Sequence, residues 1–157
     1  MKIIVKPAPP FNFDLSAKIF SHGDSQIQNY EDGKYWQVIT VHGKLILVTI
    51  RSIGTVDAPS LAVELESKEE ISHDDEKIAR EAIDTLFNLK FDLETFYESV
   101  KGDRVMLQLT TKLRGLRSPT TSTIFEALID SIVEQQISLA VANNIEKKLI
   151  KQFGSGF

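Results

Sequence analysis

Residues 35–51 read YWQVITVHGKLILVTIR, and this segment decides the fold class. Two runs rich in β-branched and aromatic residues, 35–41 and 44–51, flank the dipeptide His42-Gly43. Glycine adopts a positive φ at little cost, so a two-residue link of this kind favours a tight turn. The segment therefore predicts an antiparallel β-hairpin.

Further strands are predicted on both sides of this hairpin. Apolar and polar residues alternate over residues 11–19, and a period of two predicts a strand with one buried face. Residues 21–34 are polar and end in the turn signal Glu-Asp-Gly at 31–33. The alternation returns over residues 61–65, which predicts another short strand.

The hydrophobic period becomes helical after Ser67. Ser72 with Asp75 three positions later predicts an N-terminal capping box, and Asp92 is predicted to cap a short helix through Tyr97. The longer helices are marked by apolar stripes, which contain Ile78, Ala79, Ala82, Ile83, Leu86 and Phe87, then Val105, Met106, Leu109 and Leu113, then Ile124, Phe125, Leu128, Ile129 and Ile132, then Val141, Ala142, Ile145 and Leu149.

The ends of the last two helices also carry signals. Thr123 with Glu126 forms a second capping box, Ser138 is predicted to cap the final helix, and Gly154 is predicted to end it as a cap glycine. Strands come first and helices follow, an order that predicts an α+β fold.

Composition excludes several classes of protein. A length of 157 residues suits one domain, or one domain and part of a second. The sequence contains no cysteine, which excludes a disulfide scaffold, a thiolate zinc site, an iron–sulfur cluster and a cysteine nucleophile. The sequence contains no run of 18 apolar residues, so no membrane-spanning helix is predicted. The three histidines lack metal-ligand spacing, and no P-loop or dinucleotide fingerprint is present, so no metal or cofactor is predicted.

The charge is distributed unevenly along the chain. The formal net charge is −4, which taken alone argues against a nucleic-acid partner. Residues 1–100 hold ten Lys or Arg against seventeen Asp or Glu, whereas residues 101–157 hold eight against five. The net charge is therefore −7 in the first part and +3 in the second. This asymmetry weakly indicates a polyanion near the C-terminal part, although solvated helix faces would give the same pattern.

The last two predicted helices, at 124–136 and 139–153, are too little to close a helical domain, because each must bury its apolar stripe. They are expected to pack on the sheet or against residues beyond Phe157. The final Gly-Ser-Gly-Phe is typical of a chain that is cut inside a loop.

Several motifs resemble one known family. They are the loop GLRSP at 115–119, IFEAL at 124–128, IVEQQIS at 132–138, and the stretch from Ala142 to Phe153-Gly154. Together they resemble the start of the helix-hairpin-helix DNA glycosylase domain, and within that superfamily they are most similar to the AlkA-type (3-methyladenine) glycosylases. Upstream, PPF at 9–11, the turn at 31–33 and Val41-His42-Gly43 are similar to the sheet domain of the same enzymes.

The resemblance implies a two-part organisation. Residues 1–114 would form a small antiparallel sheet domain with flanking helices, similar to the fold of the TATA-binding protein. Residues 115–157 would form a truncated start of the helix-hairpin-helix glycosylase domain. The implied activity is removal of alkylated bases such as 3-methyladenine from duplex DNA during base excision repair.

The resemblance also implies site residues. A glycosylase extrudes its target base from the stack, and this family fills the vacated space from the turn between these two helices. Gln136, after Gln135, occupies that place, and Ser138 would begin the next helix with its amide end towards phosphate. Phe20 lies where relatives supply an aromatic ring to the base pocket, which an electron-poor alkylated purine would stack on. Without the surrounding motifs, Gln-Gln and Ser residues at helix ends more often have a structural role than a DNA-binding one. A phenylalanine at a strand end is likewise more often structural.

Two parts of the family pattern do not occur in the sequence. The family has a Pro-Gly-x-Gly hairpin that grips phosphate, followed by a catalytic aspartate, and neither follows the Gln-Gln turn. The last aspartate is Asp130, before the turn. An oxocarbenium-like transition state needs a buried negative charge. We therefore expect the catalytic residues beyond Phe157 and expect this chain alone to be inactive.

Two other interpretations of the sequence stay open. An oxoguanine-type glycosylase of the same superfamily would use a Schiff-base lysine in a segment outside this sequence. A non-catalytic α+β module would bind only DNA or protein.

Under the leading interpretation, the partner is duplex DNA that contains a damaged base, and no membrane is involved. The full-length enzyme is expected to be monomeric. It would be cytoplasmic and associated with the nucleoid in a prokaryote, or nuclear in a eukaryote.

Overall fold

The computed structural model describes residues 1–22, 28–121 and 124–154. In chain order the elements are β1 Lys2–Val5, α1 Phe13–Ala17, a 3₁₀ turn Lys18–His22, β2 Gln28–Glu31, β3 Lys34–Val41, β4 Lys44–Ser52, β5 Leu61–Glu66, α2 His73–Leu86, α3 Leu93–Ser99, α4 Arg104–Lys112, α5 Ile124–Val133 and α6 Leu139–Phe153. The α+β class with an antiparallel sheet and flanking helices is confirmed.

The sheet has the order β1-β5-β4-β3-β2, and each neighbouring pair is antiparallel. The predicted hairpin is confirmed, since Val41 pairs with Lys44 across His42-Gly43. Both turn residues have positive φ, 49° and 80°. The turn at 31–33 has the same geometry and joins β2 to β3. Turns of this kind match the twist of the strands that they connect.

One face of the sheet carries the core. Alternate residues of β3, β4 and β5 point to it, and α2 packs across it through Ala79 and Ile83. Phe87, which follows α2, lies against Phe13 and Tyr35 with ring centroids 5.7 and 5.2 Å apart. The buried apolar residues of the sheet are Ile3, Tyr35, Val41, Ile46, Val48, Ile50, Leu61, Val63 and Leu65.

The strand predicted over residues 11–19 is wrong, because the chain forms α1 and the 3₁₀ turn there. The side chain of Asn12 accepts a hydrogen bond from Leu15 N at 3.0 Å and so starts a helix. Phe13, Ser16 and Ala17 are buried, a spacing of three and four that suits a helix. In so short a window, alternation and helical spacing select overlapping residues.

Some of the predicted helix caps are confirmed by the structure and others are not. The capping box of Ser72 and Asp75 is confirmed in both directions, and Asp92 caps α3. Thr123 lies outside the described residues. Ser138 is the residue before α6, but its side chain makes no cap hydrogen bond. Gly154 ends α6 as its cap residue, as predicted, in an extended conformation with φ −76° and with its N–H donating to Ile150 O at 2.7 Å.

The stripe predicted on α4 is not buried. The helix is confirmed, but Val105, Leu109 and Leu113 are all exposed and no residue of α4 is buried. The helices α5 and α6 pack against each other, and their outer apolar residues are likewise exposed.

Candidate nucleic-acid interface

The turn between α5 and α6 projects two glutamines into solvent. The helical hydrogen bonding of α5 ends where Glu134 N donates to Asp130 O at 2.8 Å. Gln136 then adopts a left-handed conformation with φ 58°. Few residues other than glycine adopt this conformation, because the Cβ atom crowds the backbone. Gln135 and Gln136 are both exposed, so the turn presents amide side chains and not a packed contact.

Ser138 lies two residues beyond this turn and is also exposed. Its backbone carbonyl accepts hydrogen bonds from Val141 N and Ala142 N at 2.9 and 3.0 Å, which begins α6. The hydroxyl does not take part in capping. The first N–H groups of a helix carry partial positive charge and attract anions. The hydroxyl and the amino end of α6 therefore face the same solvent as the glutamines.

α6 packs on α5 and buries one small residue in its first turn. Ala142, in the first turn of α6, is fully buried although its neighbours Val141 and Asn143 are not. Close packing leaves little room for a longer side chain at this point, which lies near the turn that carries Gln136.

The loop at 115–119 joins this hairpin to the sheet side of the molecule and is tightly held there. Gly115 has φ 78°, donates its N–H to the Tyr97 hydroxyl at 2.8 Å, and accepts from Asn12 N at 2.7 Å. A Cβ atom on residue 115 would lie 2.7 Å from Asn12 N, so a larger residue cannot fit without movement. Further along, Thr120 N donates to Leu86 O at 2.8 Å.

Arg117 is the central residue of this loop and is 2% exposed. Its guanidinium donates to the carbonyl oxygens of Asn88 and Ala8 at 2.5 Å each, and it lies 5.4 Å from the centroid of the Phe11 ring. Its backbone N–H donates to Ser16 Oγ at 3.0 Å. Burial lowers the pKa of this guanidinium below its ordinary value. Arg117 therefore ties the link before α5 to three separate segments of the N-terminal part.

Sequence reasoning missed the role of Arg117. It lay within a motif of the resemblance, but no function was assigned to it. The signal in the sequence is weak, since an arginine in a loop is ordinarily exposed. The carbonyl groups that it binds come from residues far apart in the chain, and the fold alone brings them together.

Phe20 lies on the 3₁₀ turn and packs against the core. Its ring centroid is 4.9 Å from that of Tyr35 and 6.1 Å from that of Phe87. It is partly exposed, and the ring contacts that the described residues show for it are with these two core aromatics. Its role in a base pocket stays a prediction.

A second polar cluster joins the hairpin tip of β3 and β4 to the start of α2. The buried carboxylate of Asp75 accepts from Lys44 Nζ at 2.8 Å, from Ser72 N at 2.9 Å and from the His42 ring at 3.0 Å. The hydrogen bond from Lys44, followed by those from Ser72 and His42, holds the pKa of Asp75 well below its usual value. Each acceptor site is occupied within the fold, so this cluster is structural.

In the ranges 1–22, 28–121 and 124–154, no three His, Asp or Glu side chains converge in a way that could hold a metal ion. Across the same ranges, none of the helices combines the length and the apolar character needed to span a bilayer.

Comparison with known proteins gives the site a context. No protein-family model matches the chain. A segment of 68 residues, 43% of this chain, is 38% identical to the DNA-3-methyladenine glycosylase of Bacillus subtilis (strain 168) and covers 22% of that protein. The structure superposes on the 3-methyladenine DNA glycosylase from Archaeoglobus fulgidus with a TM-score of 0.77 and 19% identity, over 96% of this chain and 50% of that one. The chain has the fold of half a 3-methyladenine DNA glycosylase.

These matches confirm the resemblance to AlkA-type glycosylases over part of the relatives' length. The chain spans half of the solved glycosylase, and its sequence match spans about a fifth of the Bacillus protein. The division at residue 115 and the roles of Gln135, Gln136, Ser138 and Phe20 stay predictions.

Proposed function

We propose that this chain is the part of a base-excision-repair DNA glycosylase that carries the DNA-penetrating turn, in an enzyme that removes alkylated bases such as 3-methyladenine from duplex DNA. Support comes from the fold, from the names of the relatives, and from the exposed turn between α5 and α6. The single observation that carries the proposal is that Gln136 is exposed and left-handed at the apex of that turn.

In the proposed complex Gln136 enters the duplex at the position that the extruded nucleotide has left. A damaged base is less strongly paired and stacked, so it leaves the helix at a lower cost than an intact one. A glutamine amide carries both donor and acceptor groups and so satisfies the base on the opposite strand, which has lost its partner. Gln135 contacts the same base-pair step of the duplex, next to Gln136.

Ser138 and the amino end of α6 bind the phosphate next to this position. The hydroxyl is not used in capping, and helix N–H groups point towards bound anions. Exposed Lys148 and Lys151 on α6 add attraction to the backbone. Few such contacts exist, so we expect binding by this chain to be weak and to fall steeply with salt.

The chemical step is assigned to residues outside this chain. Hydrolysis of the N-glycosidic bond passes through a positively charged sugar, which a buried carboxylate stabilises while an activated water attacks C1′. No cofactor is needed for this chemistry. We propose that the chain alone does not release bases, and that incubation with methylated duplex DNA gives release at background level. The complete enzyme is proposed to be monomeric, and cytoplasmic in a prokaryote or nuclear in a eukaryote.

Binding to a duplex with a stable abasic-site analogue tests the proposal. The chain should prefer this duplex to an undamaged one, and Gln136→Ala should reduce the preference by roughly two- to tenfold, the value of one hydrogen bond. Gln152→Ala, an exposed glutamine at the far end of α6, is the matched control and should bind as the unchanged chain does. Equal binding to both duplexes, or equal effects of the two substitutions, would contradict the proposal.

A further inference from the structure

The five-stranded sheet has a second face, opposite the one that carries the core. Side chains alternate between the two faces along β3 and β4, and Tyr35 and Ile50 belong to the core. Their neighbours Lys34 and Arg51 therefore lie on the other side. We call that side the open face, and its polar or aromatic residues on β3 and β4 include Lys34, Trp36, Thr49 and Arg51.

Two cations lie directly opposite each other on the open face. Lys34 of β3 is the register partner of Arg51 of β4, and the Cβ atoms of such a pair are about 5 Å apart. Like charges in this arrangement destabilise a sheet. Lys34 also faces Glu31 of β2, yet within the described ranges neither cation forms an ion pair with a carboxylate. An unrelieved pair of this kind indicates a ligand that carries negative charge.

The next row of the open face adds two more hydrogen-bond donors. Trp36 and Thr49 are register partners, two residues along from Lys34 and Arg51. Thr49 is 8% exposed and Trp36 is partly exposed. Among the residues that the structure describes, neither the indole N–H nor the Thr49 hydroxyl has a hydrogen-bond partner, although such groups are normally paired where water has little access. The open face thus groups four donor side chains for which the fold supplies no acceptor.

The acidic residue beside this group is already neutralised. Glu64 of β5 is the register partner of Thr49, and its carboxylate lies 2.7 Å from Lys2 Nζ. The hydrogen bond and charge of Lys2, with smaller contributions from Lys34 and Arg51, lower the pKa of Glu64 below its usual value. Because Lys2 holds this carboxylate, the charges of Lys34 and Arg51 stay available to a ligand.

We propose that the open face binds single-stranded nucleic acid, with neighbouring phosphates held by Lys34 and Arg51 and a base stacked on Trp36. This site goes beyond the proposed function, because it lies on β3 and β4 and not on the turn that carries Gln136. Phosphate oxygens are acceptors and match the unpaired donors. Cations beside an aromatic ring are the usual equipment of sites for single strands, whose bases are free to stack on protein.

An acidic peptide is a poorer occupant of the open face. Its carboxylates would pair with Lys34 and Arg51, but an acidic side chain offers no planar ring to Trp36. A nucleotide carries an anion and a planar ring together. Lys34 and Trp36 are two residues apart on one strand, about 7 Å, so the face also presents its cation and its ring side by side.

The fluorescence of the chain tests this site directly, because Trp36 is the one tryptophan in the sequence. An oligothymidylate of about ten nucleotides should quench it in a saturable way, and a duplex of the same length should quench it less. Lys34→Gln and Arg51→Gln should each weaken binding by roughly two- to fivefold. Each should also reduce the slope of log affinity against log salt from about −1.4 to about −0.7, as one of two phosphate contacts is lost.

Two substitutions of Trp36 separate stacking from folding. Trp36→Ala should lower the affinity for a labelled oligonucleotide by at least about fivefold, whereas Trp36→Phe keeps a ring and should lose less. Lys77→Gln is the matched control for the two cations. Lys77 is exposed on α2, which packs on the opposite face of the sheet, so this variant should bind as the unchanged chain does.

Gln136→Ala should leave the quenching of Trp36 unchanged, which separates this site from the proposed function. A loss of quenching in that variant would overturn the proposal. Equal quenching by polyglutamate would assign the open face to acidic peptides, and equal quenching by the duplex would contradict the assignment to single strands. An affinity that neither Lys34→Gln nor Arg51→Gln changes would also overturn it.

Discussion

Arg117 and Asn88 form reciprocal hydrogen bonds that hold the loop before α5 against the end of α2. Arg117 Nη1 donates to the Asn88 carbonyl at 2.5 Å, and Asn88 Nδ2 donates to the carbonyl of the next loop residue, Ser118, at 2.9 Å. Asn88 itself is left-handed, with φ 50°. This reciprocal contact fixes where the chain leaves the sheet part and enters the hairpin that carries Gln136.

Arg117→Met should destabilise the protein strongly. The substitution leaves the buried carbonyls of Ala8 and Asn88 without their donors, and we expect a loss of about 3 kcal/mol. In a chain of this length that lowers Tm by roughly 6–12 °C. Arg114→Met is the control, because Arg114 forms a solvent-exposed pair with Asp57 and should cost less than about 1 kcal/mol. Thermal unfolding of both variants checks this, and equal losses would contradict a structural role for Arg117.

Gly115→Ala should also destabilise the fold. The residue is left-handed, and an added Cβ would lie 2.7 Å from Asn12 N and 3.0 Å from the Phe11 carbonyl carbon. We expect a cost of about 2 kcal/mol or more. Gly102→Ala has no atom within 4 Å of the new methyl group and should be close to neutral. Urea unfolding of the pair measures the difference, and a neutral Gly115→Ala would show that the loop is not fixed as described.

The parts of the fold that sequence predicts well are those with local causes. The His42-Gly43 hairpin follows from turn chemistry between two apolar runs, and the Ser72–Asp75 box follows from a motif that satisfies its own backbone groups. The strand predicted over residues 11–19 is wrong because alternation alone does not register the Asn12 cap, which starts a helix there. β1 was missed because its pairing partner β5 lies about sixty residues away.

The residues of the candidate site also differ in how far the sequence predicts them. The glutamine turn is visible in sequence because a motif marks it, and the structure places both glutamines in solvent. Their role in DNA binding stays a prediction. The clamp by Arg117 was not visible, since it depends on carbonyls from residues 8 and 88 that meet only in the folded chain. The apolar stripe on α4 marks a helix correctly, but a periodic pattern does not state what covers that face, and the structure leaves it exposed.

Ser138→Ala should separate stability from DNA binding. Its hydroxyl makes no cap hydrogen bond, so we expect a change in unfolding free energy below about 0.5 kcal/mol. Ser72→Ala, which removes a working cap, should cost about 1 kcal/mol and leave DNA affinity unchanged. Ser138→Ala should instead weaken binding to the abasic-site duplex, as measured by fluorescence anisotropy. The reverse pattern would assign Ser138 to the helix and not to phosphate.

Asp75 should give the protein part of its sensitivity to acid. Its pKa is lowered in the folded state, chiefly by the hydrogen bond from Lys44, so its stabilising effect is complete above the unfolded-state pKa near 3.8. That effect is lost as the pH falls from this value towards the lower folded-state pKa. Urea midpoints measured from pH 6 to pH 2 should therefore fall less steeply for Asp75→Asn than for the exposed neighbour Asp74→Asn. Identical slopes would contradict the role of this carboxylate.

Disulfide trapping tests the central claim most directly, because the chain contains no cysteine and Gln136→Cys introduces a unique thiol. A duplex with a thiol tethered to the base opposite an abasic-site analogue is mixed with this variant, and with Gln152→Cys as the control, under redox buffering. The account predicts rapid cross-linking at position 136, lost when the abasic site is replaced by a normal pair, and little at position 152. Equal cross-linking at both positions, or none at 136, would show that the turn does not enter the duplex.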